Sequence, residues 1–223
     1  MHWKNYPYIN ATTTSLKPVV GISACLLGDP VRYDGKHKKV ESLITAFSPY
    51  VDWEKTCPES EAGLGTPRPP VQLVQKDTLI VQGVNDPDIN VTKPLLKMAE
   101  DFPSLHPRGK KLCGFILKAR SPSCGTHTTP IFNEELELTT LASGIFSQQI
   151  QNTMPWLPIY DEEILKNKRQ QKLALLSFYL LQDFYLANQS AIKFVEYHTE
   201  KLSQILSDEE SMPIITALNK LKT

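Results

Sequence analysis

Cys25, Cys57 and Cys124 are the residues of this chain best suited to chemistry, because each stands where an apolar run gives way to a loop. A thiolate in that position can ligate a soft metal. A cysteine set against an apolar run is more often inert filler, which is how Cys113, next to Gly114, reads. The three are separated by 32 and 67 residues, far wider than the CxxC spacing of zinc or ferredoxin sites. Three thiolates fall one short of a structural zinc site and suit a four-iron, four-sulfur cluster with one iron left open. Cys113, His37 or His127 could supply a fourth ligand, although a lone histidine in a polar loop is usually solvated.

Other reactive side chains gather around these cysteines in sequence. Glu59 lies two residues after Cys57 and is the candidate general base; its bland reading is a carboxylate in a helix's first turn. Ser121 and Ser123 precede Cys124 in a Ser-Pro-Ser turn, where a hydroxyl can hydrogen-bond a substrate or a cluster sulfide, or simply shape the turn. Arg32, Asp34 and Arg68 fall in polar loops and are candidates to orient a pocket or contact a substrate; surface ion pairing is the alternative for each. Lys36, Lys38 and Lys39, with Arg108, Lys110 and Lys111, form the basic clusters that could touch an RNA backbone.

The elements that must position these residues alternate between strand and helix. Pro18–Leu27 is a continuous apolar run, as in a central strand covered on both faces. A short helix is expected over Glu41–Phe47, a weak strand over Tyr50–Trp53, and one or two strands over Val71–Gln82. A capped helix over Val91–Asp101, a short strand over Phe115–Leu117, a polar loop through Asn133 and a helix over Leu138–Ile150 follow. This predicts a Rossmann-like α/β fold, a mostly parallel sheet with helices on both faces, whose strand carboxyl ends face one crevice. From Glu162 onward three helical stretches are expected, with apolar stripes at Leu173, Leu176, Leu180 and Phe184 and at Ile192, Val195, Leu202 and Leu206. The expected division is an arm over 1–17, an α/β domain over 18–160 and a small all-α segment over 161–223.

Composition narrows the setting. Lysine plus arginine and aspartate plus glutamate are equal at 24 each, so no global field recruits DNA, RNA or a membrane surface. No apolar run suits a signal peptide or a membrane span, which points to a cytoplasmic protein with free or metal-bound thiols.

The ordered motifs Gly21-Ile-Ser-Ala-Cys-Leu-Leu-Gly28, Val31-Arg-Tyr-Asp-Gly35, Cys57-Pro-Glu59, Gly63-Leu64, Pro67-Arg68 and Leu117-Lys-Ala-Arg-Ser-Pro-Ser-Cys-Gly125 together resemble the TudS family of thiouracil desulfurases. The resemblance spans about residues 18–150. It implies that Cys25, Cys57 and Cys124 hold a [4Fe-4S] cluster whose fourth iron takes the sulfur of a thiolated uracil. The tail, through Gly144-Ile-Phe, Pro155-Trp-Leu-Pro158 and Phe194-Val-Glu-Tyr-His-Thr199, is similar to a shortened YbgA-type helical domain. Fusions of that RudS type imply 4-thiouridine, as a nucleoside or within tRNA, as the substrate. The runner-up is a scaffold of the same fold, with or without a cluster. A thiol-redox protein is disfavoured because no CxxC is present.

Overall fold

The computed structural model describes residues 16–105, 111–187 and 190–222. The arm up to residue 15, and Arg108 and Lys110, lie outside the described residues. In chain order the elements are β1 (Val19–Ser23), α1 (Ala24–Leu27), α2 (Glu41–Phe47), β2 (Asp52–Thr56), β3 (Val71–Gln75), β4 (Leu79–Gly83), α3 (Thr92–Leu105), β5 (Phe115–Leu117), β6 (Thr129–Phe132), β7 (Leu138–Ala142), α4 (Ile145–Thr153), β8 (Ile159–Asp161), α5 (Lys168–Ala187), α6 (Ala191–Ile205) and α7 (Asp208–Asn219).

The expected parallel sheet forms in the order β2-β1-β5-β8. Its registers pair Ser23 with Thr56 and Leu117 with Asp161, so the strand carboxyl ends open on one side. Helices cover both faces. On one, Phe102 of α3 and Phe146 of α4 meet Phe115 of β5 edge-on or tilted, with ring centroids 5.4 to 5.8 Å apart. On the other, Phe178 of α5 contacts Tyr160 of β8 and Phe47 of α2. Gly114 stands where this second layer presses closest: a Cβ there would run into the Phe178 ring.

A second sheet, β4-β3-β6-β7, was not anticipated and is mixed in direction. Two expectations fail with it. The loop expected through Asn133 contains β6, and the helix expected over Leu138–Ile150 is two elements, β7 and then α4. Thr139 and Thr140, β-branched, suit pairing against β6, and Gly144 is extended at the α4 N-terminus, where it ends any continuous helix. The strand expected over Pro18–Leu27 stops at Ser23, where one helical turn, α1, begins. The weak strand near Tyr50 lies later, at Asp52–Thr56, and pairs along its full length with β1.

The tail is helical as expected. Helix α5 is buried continuously from Leu173 to Asp183, as befits a helix enclosed on all sides. Val195 and Leu202 of α6 are fully buried, but Ile192, assigned to that stripe, is exposed. Ser207 and Glu210 form a reciprocal capping box at the start of α7. One apolar cluster joins Val20, Ile22 and Phe115 to Leu176, Phe178 and Phe194, so sheet and tail share a core across residue 160. Among the described residues, no helix is long and apolar enough to cross a membrane.

Candidate active site

A cavity of about 390 Å³ opens at the carboxyl ends of β1, β2 and β5, and Cys25, Cys57 and Cys124 all line it. Cys25 follows β1 inside the single turn of α1, Cys57 follows β2 directly, and Cys124 ends the Ser-Pro-Ser turn after β5. Parallel strands bring these positions together because their ends share one side of the sheet. Cys113 precedes β5, at the opposite end of the sheet, and burial pushes its thiol up to about 12. It is filler, as read. His37 and His127 are exposed and do not line the cavity.

The turn carrying Cys124 is docked on α4. The first amides of α4 donate to its carbonyls: Ile145 to Pro122 at 3.0 Å, Phe146 to Ser123 at 3.1 Å and Ser147 to Ser123 at 3.2 Å. Gly144 donates to Gly125 at 2.8 Å. A Cβ on Gly144 would sit 2.5 Å from the Ser123 carbonyl carbon and oxygen and 2.8 Å from the Cys124 nitrogen. Only glycine permits that approach.

Within the turn, Ser121 Oγ accepts from the amides of Ser123 and Cys124, at 3.3 and 3.1 Å, which leaves its own proton free to donate. Ser121 lines the cavity. Ser123 does not: it is fully buried and donates to Glu59 Oε1 at 2.9 Å. Glu59 reaches the cavity with its second oxygen held by Arg68, whose Nε and terminal nitrogen lie 2.8 and 2.7 Å away. Arg68, a candidate to orient the pocket or contact a substrate, lines the cavity. It is 4% exposed and committed to protein acceptors, giving further hydrogen bonds to Gly65 O at 2.8 Å and Thr66 Oγ1 at 3.2 Å. It also donates to Ser60 Oγ at 3.4 Å and approaches the Cys57 sulfur at 4.0 Å.

Glu59 does stand at the start of a helical stretch that continues through Ser60–Leu64, but its side chain makes no cap hydrogen bond. Glu61 takes that kind of role, accepting from the Cys57 amide at 2.8 Å. Arg32 lines the cavity at its mouth, stacked over Tyr33 at 5.4 Å. Asp34 does not line it; this exposed carboxylate pairs with Arg32 at 3.3 Å and accepts from the Lys36 amide. Lys118 and Glu162, not among the residues the sequence singles out, form a cavity-side ion pair whose members lie 44 residues apart. Only the lysine's place inside the Leu117–Gly125 motif hinted at it.

Cys25 and Cys124 are buried, and Cys57 is half-buried. Burial, with Cys57 adding to it, pushes the Cys25 thiol up to about 11. Burial likewise holds Cys124 well above the ordinary thiol range, against a hydrogen bond from Ser23. Among the described residues no three metal-ligating side chains close around a single ion. Three soft sulfur donors lining one cavity are the kind of donor set an iron–sulfur cluster takes.

Fold and cavity define an α/β protein with a three-cysteine centre at its strand ends. A family profile described as 2-thiouracil desulfurase matches residues 20–162, and the chain belongs to that family. Among curated proteins it is similar to the uncharacterized protein YbbK of Bacillus subtilis (strain 168), 32% identical over 119 residues, which cover 47% of this chain and 72% of the relative. Among solved structures it is similar to the [4Fe-4S]-dependent thiouracil desulfidase TudS, with 30% identity and a TM-score of 0.55, covering 71% of this chain and 98% of that one.

Proposed function

We propose that this chain is a [4Fe-4S]-dependent desulfurase that exchanges the sulfur of a thiolated uracil for oxygen, with water consumed and hydrosulfide and a proton released. The observation that supports it best is the meeting of Cys25, Cys57 and Cys124, from three strand ends, on one cavity. These three residues would hold the cluster. When bound, the cluster supplies a soft, Lewis-acidic iron corner for the substrate's sulfur.

The chain's own groups divide the remaining work. Glu59 lines the cavity with its orientation fixed by Arg68 and Ser123, and a carboxylate retains acceptor sites beyond those two bonds. It is therefore set to take the proton of an attacking water. Ser121, with both acceptor sites engaged by backbone amides, is oriented to donate its hydroxyl proton into the cavity. Ser123 and Arg68 position Glu59 rather than meet substrate. Arg32 and Lys38 at the cavity rim suit the polar or phosphate-bearing end of a larger substrate, 4-thiouridine or a tRNA carrying it.

Anaerobic purification and reconstitution test this reading. The expected result is a brown protein with about four irons per chain that releases sulfide from 2-thiouracil, 4-thiouracil or 4-thiouridine. Comparing the free base, the nucleoside and thiolated tRNA ranks the substrates. A reconstituted protein with full iron that releases sulfide from none of them would refute it.

A further inference from the structure

Among the described residues five cations line the cavity, and four of them are accounted for elsewhere. Arg68 is consumed by protein acceptors. Arg32 is bound to Asp34 and Tyr33 at the mouth, Arg120 points outward to Glu163, and Lys38 is exposed. Lys118 differs from all of these. Its side chain is 16% exposed, and its ammonium is held by Glu162, which is 5% exposed. Glu162 is fixed in turn, accepting from the Ala119 amide at 2.6 Å. The Lys118 amide donates to Ser23 at the end of β1 at 3.0 Å, which pins the residue to the cavity floor. An ammonium has three N–H donors. Two are taken, by Glu162 and by the Ala119 carbonyl at 2.9 Å.

We propose that the third N–H of Lys118 binds the ring carbonyl oxygen of the pyrimidine, making Lys118 a substrate-binding residue that stabilises negative charge on the ring. The inference rests on the desulfurase reading. An ammonium donates and never accepts, so it selects the carbonyl edge over the ring N–H groups. Held by a buried carboxylate, it needs no reorganisation when charge develops on that oxygen. Ser121, on the same wall, donates to the other polar edge of the ring.

Removing the lysine alone leaves Glu162 buried and uncompensated, so the informative protein is the double variant K118M/E162Q, which removes both charges. Calorimetric titration of uracil into the reconstituted parent and variant reads the contact without turnover. Losing a charged hydrogen bond is expected to weaken uracil binding about 10- to 100-fold, with a similar fall in kcat/KM for 2-thiouracil. Iron content and melting temperature should stay near those of the parent. Equal uracil affinity in the two proteins overturns the inference, and so does loss of iron in the variant, which would make the pair structural. A parent that binds uracil but never releases sulfide sinks the desulfurase reading instead, and the affinity ratio still decides the contact.

Discussion

Gly144→Ala should damage the site through one added carbon. The new Cβ would lie 2.5 Å from the carbonyl carbon and oxygen of Ser123, where ordinary contact begins at 3.4 Å. The obstacle is backbone, not a side-chain tip, so the Ser123–Cys124 turn and the α4 N-terminus must separate by about 0.9 Å. Gly144 has φ −66° and ψ 158°, which alanine adopts freely, so the effect is steric and carries no backbone strain. Overpacking of this kind costs about 1–3 kcal/mol. In a chain of this size that lowers the melting temperature by about 2–12 °C. Displacing Ser121 and Cys124 by nearly an ångström should also cut turnover about 100-fold. Scanning calorimetry, iron analysis and sulfide release on parent and variant read the three effects. A variant that melts within 1 °C of the parent, with the same iron and turnover, would refute the claim that Gly144 seats the cysteine turn.

Cys25→Ala, Cys57→Ala and Cys124→Ala should each lose iron on reconstitution, while Cys113→Ala retains it; iron and sulfide assays on the four proteins decide the ligand set. Glu59→Gln should keep its iron but lose about 10²- to 10⁴-fold in kcat, and Arg68→Lys, which cannot hold Glu59 with a planar fork, should lower kcat more than it alters KM. His198, 2% exposed on α6 against Phe194, is lowered to about 4 by burial. The unfolded chain takes that proton near pH 6.5 and the folded chain resists it until about 4, so stability is full above 6.5 and falls as pH drops through the window. The loss is at most about 3 kcal/mol. Urea titrations at pH 7.0 and 4.5 should show it in the parent and show less of it in His198→Phe.

The three-cysteine cavity was legible because each cysteine ends an apolar run, and a parallel sheet collects such ends whatever their distance in sequence. The first sheet and the tail helices were legible for the same local reason, periodicity. The second sheet was not. Leu138 to Ile150 carries apolar residues at near-helical intervals, and what makes β7 a strand is its partner β6, a contact no local pattern records. Arg68 illustrates the same limit at the site: its residue type suited a substrate contact, but the acceptors that consume it, Glu59, Gly65 and Thr66, become visible only once the loop is folded. Lys118 and Glu162 were hidden because their pairing depends on β5 lying beside β8.

That adjacency sets where the polypeptide can be cut. The strand that opens the helical tail is also the outer strand of the parallel sheet, and the carboxylate just beyond it neutralises a lysine in the cavity floor. Any recombinant truncation placed before Ile159 would strip the sheet's border and strand a buried ammonium without its counter-charge. A fragment meant to retain the reactive centre must extend past Glu162, and it must still replace the cover that Phe178 gives the sheet.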